Sequence, residues 1–327
     1  MIKKLMKSFC KKILLLLSLN VLSFYPQTSL ATEDTFEIWL SSFKNFAISE
    51  GVSPNTIEYV FKDVKFLDKV IGYDRKQPEF FEDTITYVTK RATSARVKKG
   101  KKIFKKNKEL FIEVESNFDV EKEILLALWA IETNYGKHVG KMDIISCLAT
   151  LSYDKRRRDF FSSQLLILLQ LIDKKIINPK KLFGSWAGAY GNFQFMPSTI
   201  KSYAIDYDKN NKIELKSSLK DSLASAANYI NKIGWKKGQP CFYRVKITKD
   251  IKKKYINSSA RNISHRLKMS KWKKFGLTNY DGSELESNFK AALILPDGKP
   301  SSPAYLVFNN YEKILKWNRS LRFGITV

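Results

Sequence analysis

A single acidic residue stands at the end of the most apolar helix that the sequence predicts. Residues 124–131 read ILLALWAI, which is apolar on every face, and Glu132 follows directly. Gly136 is well placed as a helix C-cap, which puts Glu132 in the last turn, beside the negative end of the helix dipole. Apolar surroundings and that dipole both disfavour the carboxylate, so the pattern predicts a glutamic acid able to donate a proton.

The chemistry that suits such a group is protonation of the oxygen in a glycosidic bond. The alternative for Glu132 is structural, because a partly exposed glutamate at a helix end also bonds to neighbouring backbone amides. Glu132 alone leaves both interpretations open.

A glycine-rich passage favours the catalytic interpretation. Residues 184–198 read GSWAGAYGNFQFMPS, in which three glycines let the backbone approach a ligand closely. Hydrogen-bonding side chains and flat aromatic faces suit sugar rings, and the passage supplies both, from Ser185, Gln194, Trp186, Tyr190, Phe193 and Phe195. A tightly packed loop between two helices is the alternative.

Other site chemistries have little support in the composition. The chain has two histidines and three cysteines, and Cys10 belongs to the N-terminal leader, which argues against a Cys/His zinc site. Cys147 lies in the apolar phrase IISCLATL and is predicted to be a buried small residue. The sequence shows no Ser-His-Asp spacing that predicts nucleophilic catalysis.

The N-terminus is typical of an exported protein. A basic start, MIKKLMKSFCKK, leads into the apolar run ILLLLSLNVLSFY and the small-residue site ending at Ala31, which predicts a signal peptide over residues 1–31. An uncleaved anchor is the alternative. Because Cys10 precedes the apolar run, the protein is not expected to be a lipoprotein, and we expect a periplasmic location.

The charge predicts a polyanionic partner. The formal net charge is +26, and removal of a leader with five lysines and no acid leaves 26 − 5 = +21. For an exported protein the carboxylate-rich wall and anionic lipid head groups are the nearest polyanions, so a peripheral membrane association is included. Nucleic acid is not expected, since no recognition pattern is present. Solubility alone is the other explanation of the charge.

The pattern of apolar residues predicts an α+β fold that is predominantly α. Helical spacing extends from about residue 35 to 115, with a helix start at Ser53 and Pro54, and continues over 121–134, 158–173 and 222–234. CFYRVKIT predicts a strand, and AALILPDG with AYLVFNNY predicts a hairpin. The predicted parts are the signal peptide 1–31, a helical region 32–115, a catalytic core 116–235, a small β-containing lobe 236–310 and a C-terminal segment 311–327 that returns to the cleft.

Four phrases, in order, resemble the lytic murein transglycosylase B family: ALWAIETNYGKHVG, ATLSYDKRRRDFF, GSWAGAYGNFQFMPST and FNNYEKILKWNRS. The resemblance covers roughly residues 35–327. It implies a lysozyme-like core with additional N-terminal helices, and an enzyme that acts on peptidoglycan glycan strands. We expect this enzyme to be a monomer. Cleavage of the bond between N-acetylmuramic acid and N-acetylglucosamine would form a 1,6-anhydro ring, with Glu132 as the single acid and base and no cofactor in the chemistry.

The resemblance also implies substrate-binding residues. Ser185, Gln194 and Asn318 match the sugar-contacting positions of the family, and further cleft candidates are Tyr229, Arg157, Tyr190 and Tyr87. Phe160 and Trp317 stand where some relatives have tyrosine, so a contact through a hydroxyl group is not expected there. A muramidase that uses water and a non-catalytic wall-binding protein are the alternatives.

Residues 206–221, DYDKNNKIELKSSLKD, resemble the EF-hand-like calcium loop of the family. Oxygen ligands for a structural calcium ion are expected at alternate positions and at a closing acid, from Asp206, Asp208, Asn210, the backbone oxygen of Lys212, and Asp221. Asn211 replaces the usual turn glycine, and Asn tolerates that backbone conformation. An Asx-rich turn without a metal is the alternative.

Overall fold

The computed structural model describes residues 35–76, 81–180 and 182–327. The predicted signal peptide and its cleavage site at Ala31 lie outside these residues. The chain divides into two compact units, residues 1–39 and 40–327, and the described part of the first unit is the start of one helix. Within the described ranges, no helix combines the length and the apolar character that a membrane crossing requires.

Helices form most of the described chain, which confirms the predicted α+β class with a helical majority. The first group comprises α1 Phe36–Ser49, α2 Pro54–Phe61, α3 Asp68–Arg75, α4 Thr84–Arg91, α5 Ser94–Lys106, α6 Lys108–Phe118 and α7 Lys122–Thr133. The second comprises α8 Ile144–Tyr153, α9 Arg158–Asp173, α10 Pro197–Tyr203, α11 Leu219–Lys232, α12 Met269–Lys274, α13 Asn309–Trp317 and α14 Leu321–Thr326. The predicted start of α2 is confirmed: Ser53 Oγ accepts a hydrogen bond from the amide of Thr56, and Pro54 is the first helical residue.

The centre of the helical part is the apolar pair α8 and α9. Residues 144–152 of α8 are all buried, which leaves no polar face on this part of the helix. Cys147 is fully buried and carries a free thiol, as predicted. Burial raises the pKa of its thiol to about 12, so Cys147 behaves as a core residue rather than a nucleophile.

Residues 242–307 contain a five-stranded sheet, whose strands are β3 Phe242–Ile247, β4 Ile256–Asn257, β5 Leu277–Asn279, β6 Ala292–Ile294 and β7 Ala304–Val307. Their order in the sheet is β4-β6-β7-β3-β5. The predicted strand at β3 and the hairpin of β6 and β7 are confirmed. A basic stretch that ends at Lys274 contains the short helix α12. Trp272 of α12 is fully buried and donates from Nε1 to Ala291 O at 2.9 Å. The apolar periodicity of the sequence did not predict α12, β4 and β5, because each of these short elements buries only one or two side chains. The domain boundaries proposed from the sequence stay predictions.

A second, two-stranded sheet brings the segment after α7 to the glycine-rich passage. β1 Met142–Asp143 pairs antiparallel with β2 Phe183–Gly184. Gly140, with φ +87°, precedes β1, and a Cβ atom there would lie 2.0 Å from Gly184 O and 2.6 Å from Ser185 N. Only glycine permits this approach of two backbones.

Replacement of Gly140 therefore tests how closely the two segments must pack. Gly140→Ala is expected to lower the free energy of unfolding by about 3 kcal/mol, from a backbone collision added to the cost of a left-handed conformation. Gly238→Ala is the matched control, because Gly238 has φ +79° but nothing within 4 Å of its added Cβ. It should cost about 1 kcal/mol. Equal losses in urea unfolding would contradict the close packing.

Candidate active site

Glu132 lies in the last turn of α7, as predicted, but the helix ends differently. The left-handed C-cap is Asn134, with φ +50°, rather than Gly136. The amide of Asn134 donates to Ala130 O, which is the single bond of an αL helix ending, and the amide of Tyr135 donates to Trp129 O. Asn adopts the left-handed conformation at low cost, so the helix stops two residues before the glycine.

Gly136 instead allows the backbone after α7 to lie close to Asn192. A Cβ atom at this position would lie 2.7 Å from Asn192 Oδ1, in the glycine-rich passage. The Thr133 hydroxyl donates to Asn192 O at 2.7 Å and accepts from the amide of Gly136 at 2.9 Å. Thr133 therefore joins the end of α7 to the glycine-rich passage, directly beside Glu132.

The other side of this helix end contacts α5. Lys99 Nζ donates to Asn134 O at 2.9 Å, and the Tyr135 hydroxyl donates to Arg96 O at 3.0 Å. Gly100 leaves room for that tyrosine, because a Cβ atom there would lie 2.3 Å from its hydroxyl oxygen. A cation near the last carbonyl groups also suits the negative end of the helix dipole.

A tryptophan from the C-terminal segment reaches Glu132 directly. Trp317 Nε1 donates to Glu132 Oε1 at 3.0 Å, and both side chains are half-buried. The Trp317 ring is packed against Phe195 at 5.4 Å, Phe193 at 6.1 Å and Tyr229 at 5.1 Å, measured between ring centroids. The indole N–H of Trp317 supplies a hydrogen-bond donor at this position, where some relatives have tyrosine.

The aromatic residues of the glycine-rich passage divide into two pairs. Phe193 and Phe195 were expected to offer faces to sugar rings, and this was wrong: they are 1% and 3% exposed and pack against Trp317. Trp186 and Tyr190 are half-buried. Burial raises the pKa of the Tyr190 hydroxyl, so that it remains a neutral donor.

Ser185 and Gln194 are held by the backbone of the same passage. Ser185 Oγ accepts from the amide of Ala189 at 2.9 Å. Gln194, at φ +53°, donates its side-chain N–H groups to Gly191 O at 2.8 Å and Val139 O at 3.2 Å. Because both amide hydrogens are used, the oxygen is what this side chain can still offer a ligand. The left-handed backbone of a non-glycine residue is typical of a functional loop.

Asn318 and Tyr229 lie next to Trp317. Asn318 is the half-buried C-cap of α13, one residue beyond Trp317. The Tyr229 hydroxyl donates to Lys316 O at 3.0 Å, while its ring stacks on Trp317 on one side and on Tyr203 on the other. Burial raises the pKa of Tyr229 to about 12. Tyr229 therefore supports Trp317. The roles of Tyr229 and Asn318 in substrate binding stay predictions.

Arg157 and Tyr87 make their contacts elsewhere. The Arg157 guanidinium lies over the rings of Phe160 and Phe161 and bonds to Asp74 Oδ1 at 3.4 Å. Tyr87 is 4% exposed, and the guanidinium of Arg91 covers its ring at 3.6 Å. That face of Tyr87 is closed to a sugar ring. The substrate roles of Arg157 and Tyr87 stay predictions.

The loop 206–221 brings acidic groups together. Ligand oxygens of Asp206, Asp208 and Asp221 all lie within 4.8 Å of one another, and Asp221 is fully buried. Oxygens on opposite sides of a calcium ion are about 4.8 Å apart, so the three carboxylates fit one coordination shell. Asn211 has φ +65°, which confirms its role in place of glycine. Asn210 contacts a residue that the sequence analysis missed: its Nδ2 donates to Glu214 Oε2 at 3.3 Å.

The sequence also did not predict the contacts that Thr133, Asn192 and Trp317 make around Glu132. Thr133 and Asn192 lie in the two motifs, but no sequence pattern indicates that they are bonded, because they are 59 residues apart. The bond between Trp317 and Glu132 spans 185 residues. No periodicity connects positions so distant in one sequence.

Comparisons with known proteins agree with this geometry. Residues 35–327 match the family described as "Transglycosylase SLT domain". Over 122 residues the chain is 39% identical to the membrane-bound lytic murein transglycosylase B of Escherichia coli K12, a match that covers 37% of this chain and 34% of that protein. The matched stretch thus spans about a third of that relative's length.

Solved structures match over most of the chain. SltB3 from Pseudomonas aeruginosa, in complex with NAG-NAM-pentapeptide, superposes with a TM-score of 0.80 at 32% identity, covering 89% of this chain and 77% of that one. Slt35 from Escherichia coli, in complex with calcium, superposes with a TM-score of 0.71 at 25% identity, covering 88% and 89%. The lysozyme-like fold is thereby confirmed. Because the family match extends over nearly all of the described chain, this protein belongs to the transglycosylase SLT domain family.

Proposed function

We propose that the protein is a peptidoglycan lytic transglycosylase that cleaves the β-1,4 bond between MurNAc and GlcNAc and forms 1,6-anhydro-MurNAc. The observation that carries this proposal is Glu132, held at the end of α7 by the indole N–H of Trp317 in a chain of this family. The relative SltB3 has also been solved with NAG-anhNAM-pentapeptide, whose sugar is the anhydro form.

Glu132 performs both proton transfers. The protonated carboxyl group donates to the glycosidic oxygen, the bond from C1 of MurNAc to that oxygen breaks, and the GlcNAc end leaves with a hydroxyl group. The N-acetyl group of MurNAc stabilises the positive charge that develops at C1. The Glu132 carboxylate then accepts the proton of the C6 hydroxyl as O6 bonds to C1. No water is consumed, and no second carboxylate is needed, unlike in hydrolytic glycosidases.

The residues around Glu132 orient the sugars. Gln194 presents its amide oxygen from a rigid turn, Ser185 and Tyr190 lie in the same passage, and Asn318 follows Trp317. These positions suit hydrogen bonds to acetamido and hydroxyl groups. Arg157 and Tyr87 complete the proposed set of substrate-binding residues.

The proposed setting is the periplasm, reached through the signal peptide 1–31. The protein would act there as a monomer on peptidoglycan strands, with no nucleic-acid partner. The relative from Escherichia coli is named as membrane-bound, which supports a peripheral association of this chain with the membrane. A peripheral association of this kind would depend on the surface of the folded protein.

A structural calcium ion is proposed in the loop 206–221. Asp206, Asp208, Asn210 and Asp221 would supply side-chain oxygens, and Lys212 its backbone oxygen, as hard ligands for a hard cation. The loop ends in the first turn of α11, the helix that carries Tyr229, so the ion would stabilise the fold and take no part in the chemistry.

Replacing Glu132 tests the proposed function. Glu132→Gln keeps the shape but cannot donate or accept the proton, and it should lower the rate of sacculus digestion by on the order of 10² to 10⁴-fold. Glu123→Gln, at the exposed start of the same helix, is the matched control and should keep full activity. Mass spectrometry of the wild-type products should show anhydro sugars, lighter by one water than a hydrolase would release. Retained activity in Glu132→Gln, or only hydrated products, would contradict the proposal.

Removal of the indole donor tests the positioning of Glu132. Trp317→Phe keeps an aromatic ring but loses the hydrogen bond to Glu132 Oε1, and kcat should fall by about 10 to 100-fold with little change in KM. Trp235→Phe is the control, since Trp235 Nε1 donates to Glu121 Oε2 at 2.6 Å, at the other end of α7. It should affect stability rather than kcat. Equal effects on kcat would assign Trp317 a purely structural role.

Calcium binding is tested by thermal unfolding. Saturating calcium should raise the melting temperature by about 5 °C over the chelated protein, because the ion binds only the folded loop. Asp208→Asn should remove most of that shift by deleting one charged ligand. Asp250→Asn, with the same loss of charge at an exposed position outside the loop, should keep the shift. Identical melting with calcium and with chelator would exclude the site.

A further inference from the structure

A concentration of unpaired positive charge lies on α5. Residues 84–108 contain ten lysines or arginines and no aspartate or glutamate. Five lysines of α5 are exposed: Lys98, Lys101, Lys102, Lys105 and Lys106. Among the described residues, none of the five forms an ion pair or a side-chain hydrogen bond.

These lysines share one face of the helix, which we call the lysine face. At 100° per residue, the five positions fall within an arc of about 140° and span about 12 Å along the helix axis. The opposite side of α5 is the packed side, where Gly100 is buried and Ile103 and Phe104 are half-buried. Lysines four residues apart repel one another, so the face destabilises its own helix when it stands alone. An anionic surface would offset this repulsion.

We infer that the lysine face docks the protein on the anionic head groups of a lipid bilayer. The face is convex and consists of lysines, which are point charges on flexible stems rather than the planar forks that recognise one defined anion. Such a surface suits a broad, laterally mobile layer of phosphates better than a single bound ligand. Val97, one turn before Lys101, is 52% exposed and gives the edge of the face an apolar contact for the lipid.

Docking through this face orients the active site. The packed side of α5 holds the end of α7, where Lys99 bonds to Asn134 O and Arg96 O accepts from Tyr135. Glu132 is two residues from that contact. The docked membrane would therefore lie about one helix diameter, roughly 10 Å, from the end of the helix that carries Glu132.

The experiment is co-sedimentation of the processed, exported protein with vesicles at about 0.15 M salt, where the Debye length is about 8 Å. Vesicles of phosphatidylglycerol and phosphatidylethanolamine should bind the protein, and vesicles of phosphatidylcholine should not. The triple variant Lys98→Gln, Lys102→Gln, Lys105→Gln should bind the anionic vesicles more weakly by on the order of tenfold or more.

The matched control is Lys252→Gln, Lys253→Gln, Lys254→Gln, which removes the same charge from three exposed lysines outside α5. It should keep most of the vesicle binding, and circular dichroism should show both variants folded. Both variants should also cleave soluble glycan fragments at the wild-type rate, so failure of the docking and failure of the proposed function are separate results.

Three outcomes would overturn the docking. Wild-type protein that does not bind anionic vesicles would exclude the membrane as partner. Equal losses in the two triple variants would show that only net charge matters. A loss of binding to isolated sacculi, with vesicle binding unchanged, would assign the lysine face to the wall polymer instead.

Discussion

The arrangement of the active site depends on how one helix ends. The last carbonyl groups of α7 have no partners within the helix, so other groups must satisfy them. The amides of Asn134 and Tyr135 satisfy two of these carbonyls, and Lys99 Nζ donates to the carbonyl of the cap residue, Asn134. Thr133 attaches the glycine-rich passage to the same turn. Glu132 is surrounded by these bonds, so its position follows from the helix ending.

The β-containing part of the chain acts as a support for Trp317. Asn310, in the first turn of α13, is fully buried and bonds through its side chain to the backbone of Lys236 and Gln239. The Tyr311 hydroxyl donates to Leu321 O at 2.7 Å, which closes the turn between α13 and α14. These buried bonds hold α13 in one position, so the indole N–H of Trp317 is presented to Glu132 from a rigid element.

The positive net charge reflects an excess of basic residues, since the chain has 58 lysines and arginines and 32 aspartates and glutamates. Asp74, 3% exposed, pairs with Arg156 and Arg157, Glu115 pairs with Lys122 and Lys237, and Asp297 pairs with Arg322. These three acids pair with five basic groups, so the pairs inside the fold do not cause the excess of positive charge. The net charge of +26 comes from the number of lysines and arginines in the chain.

The sequence by itself determined the helical majority, the start of α2, the buried Cys147, the strand β3 and the β6–β7 hairpin, because local periodicity and capping chemistry specify such features. It also indicated Glu132, since an acid at the end of an apolar helix is an unusual local pattern. Only the tertiary structure decided that Trp317 donates to Glu132 and that Phe193 and Phe195 support this ring instead of facing a sugar. These contacts join residues far apart in the chain, and their geometry depends on packing that no local pattern encodes.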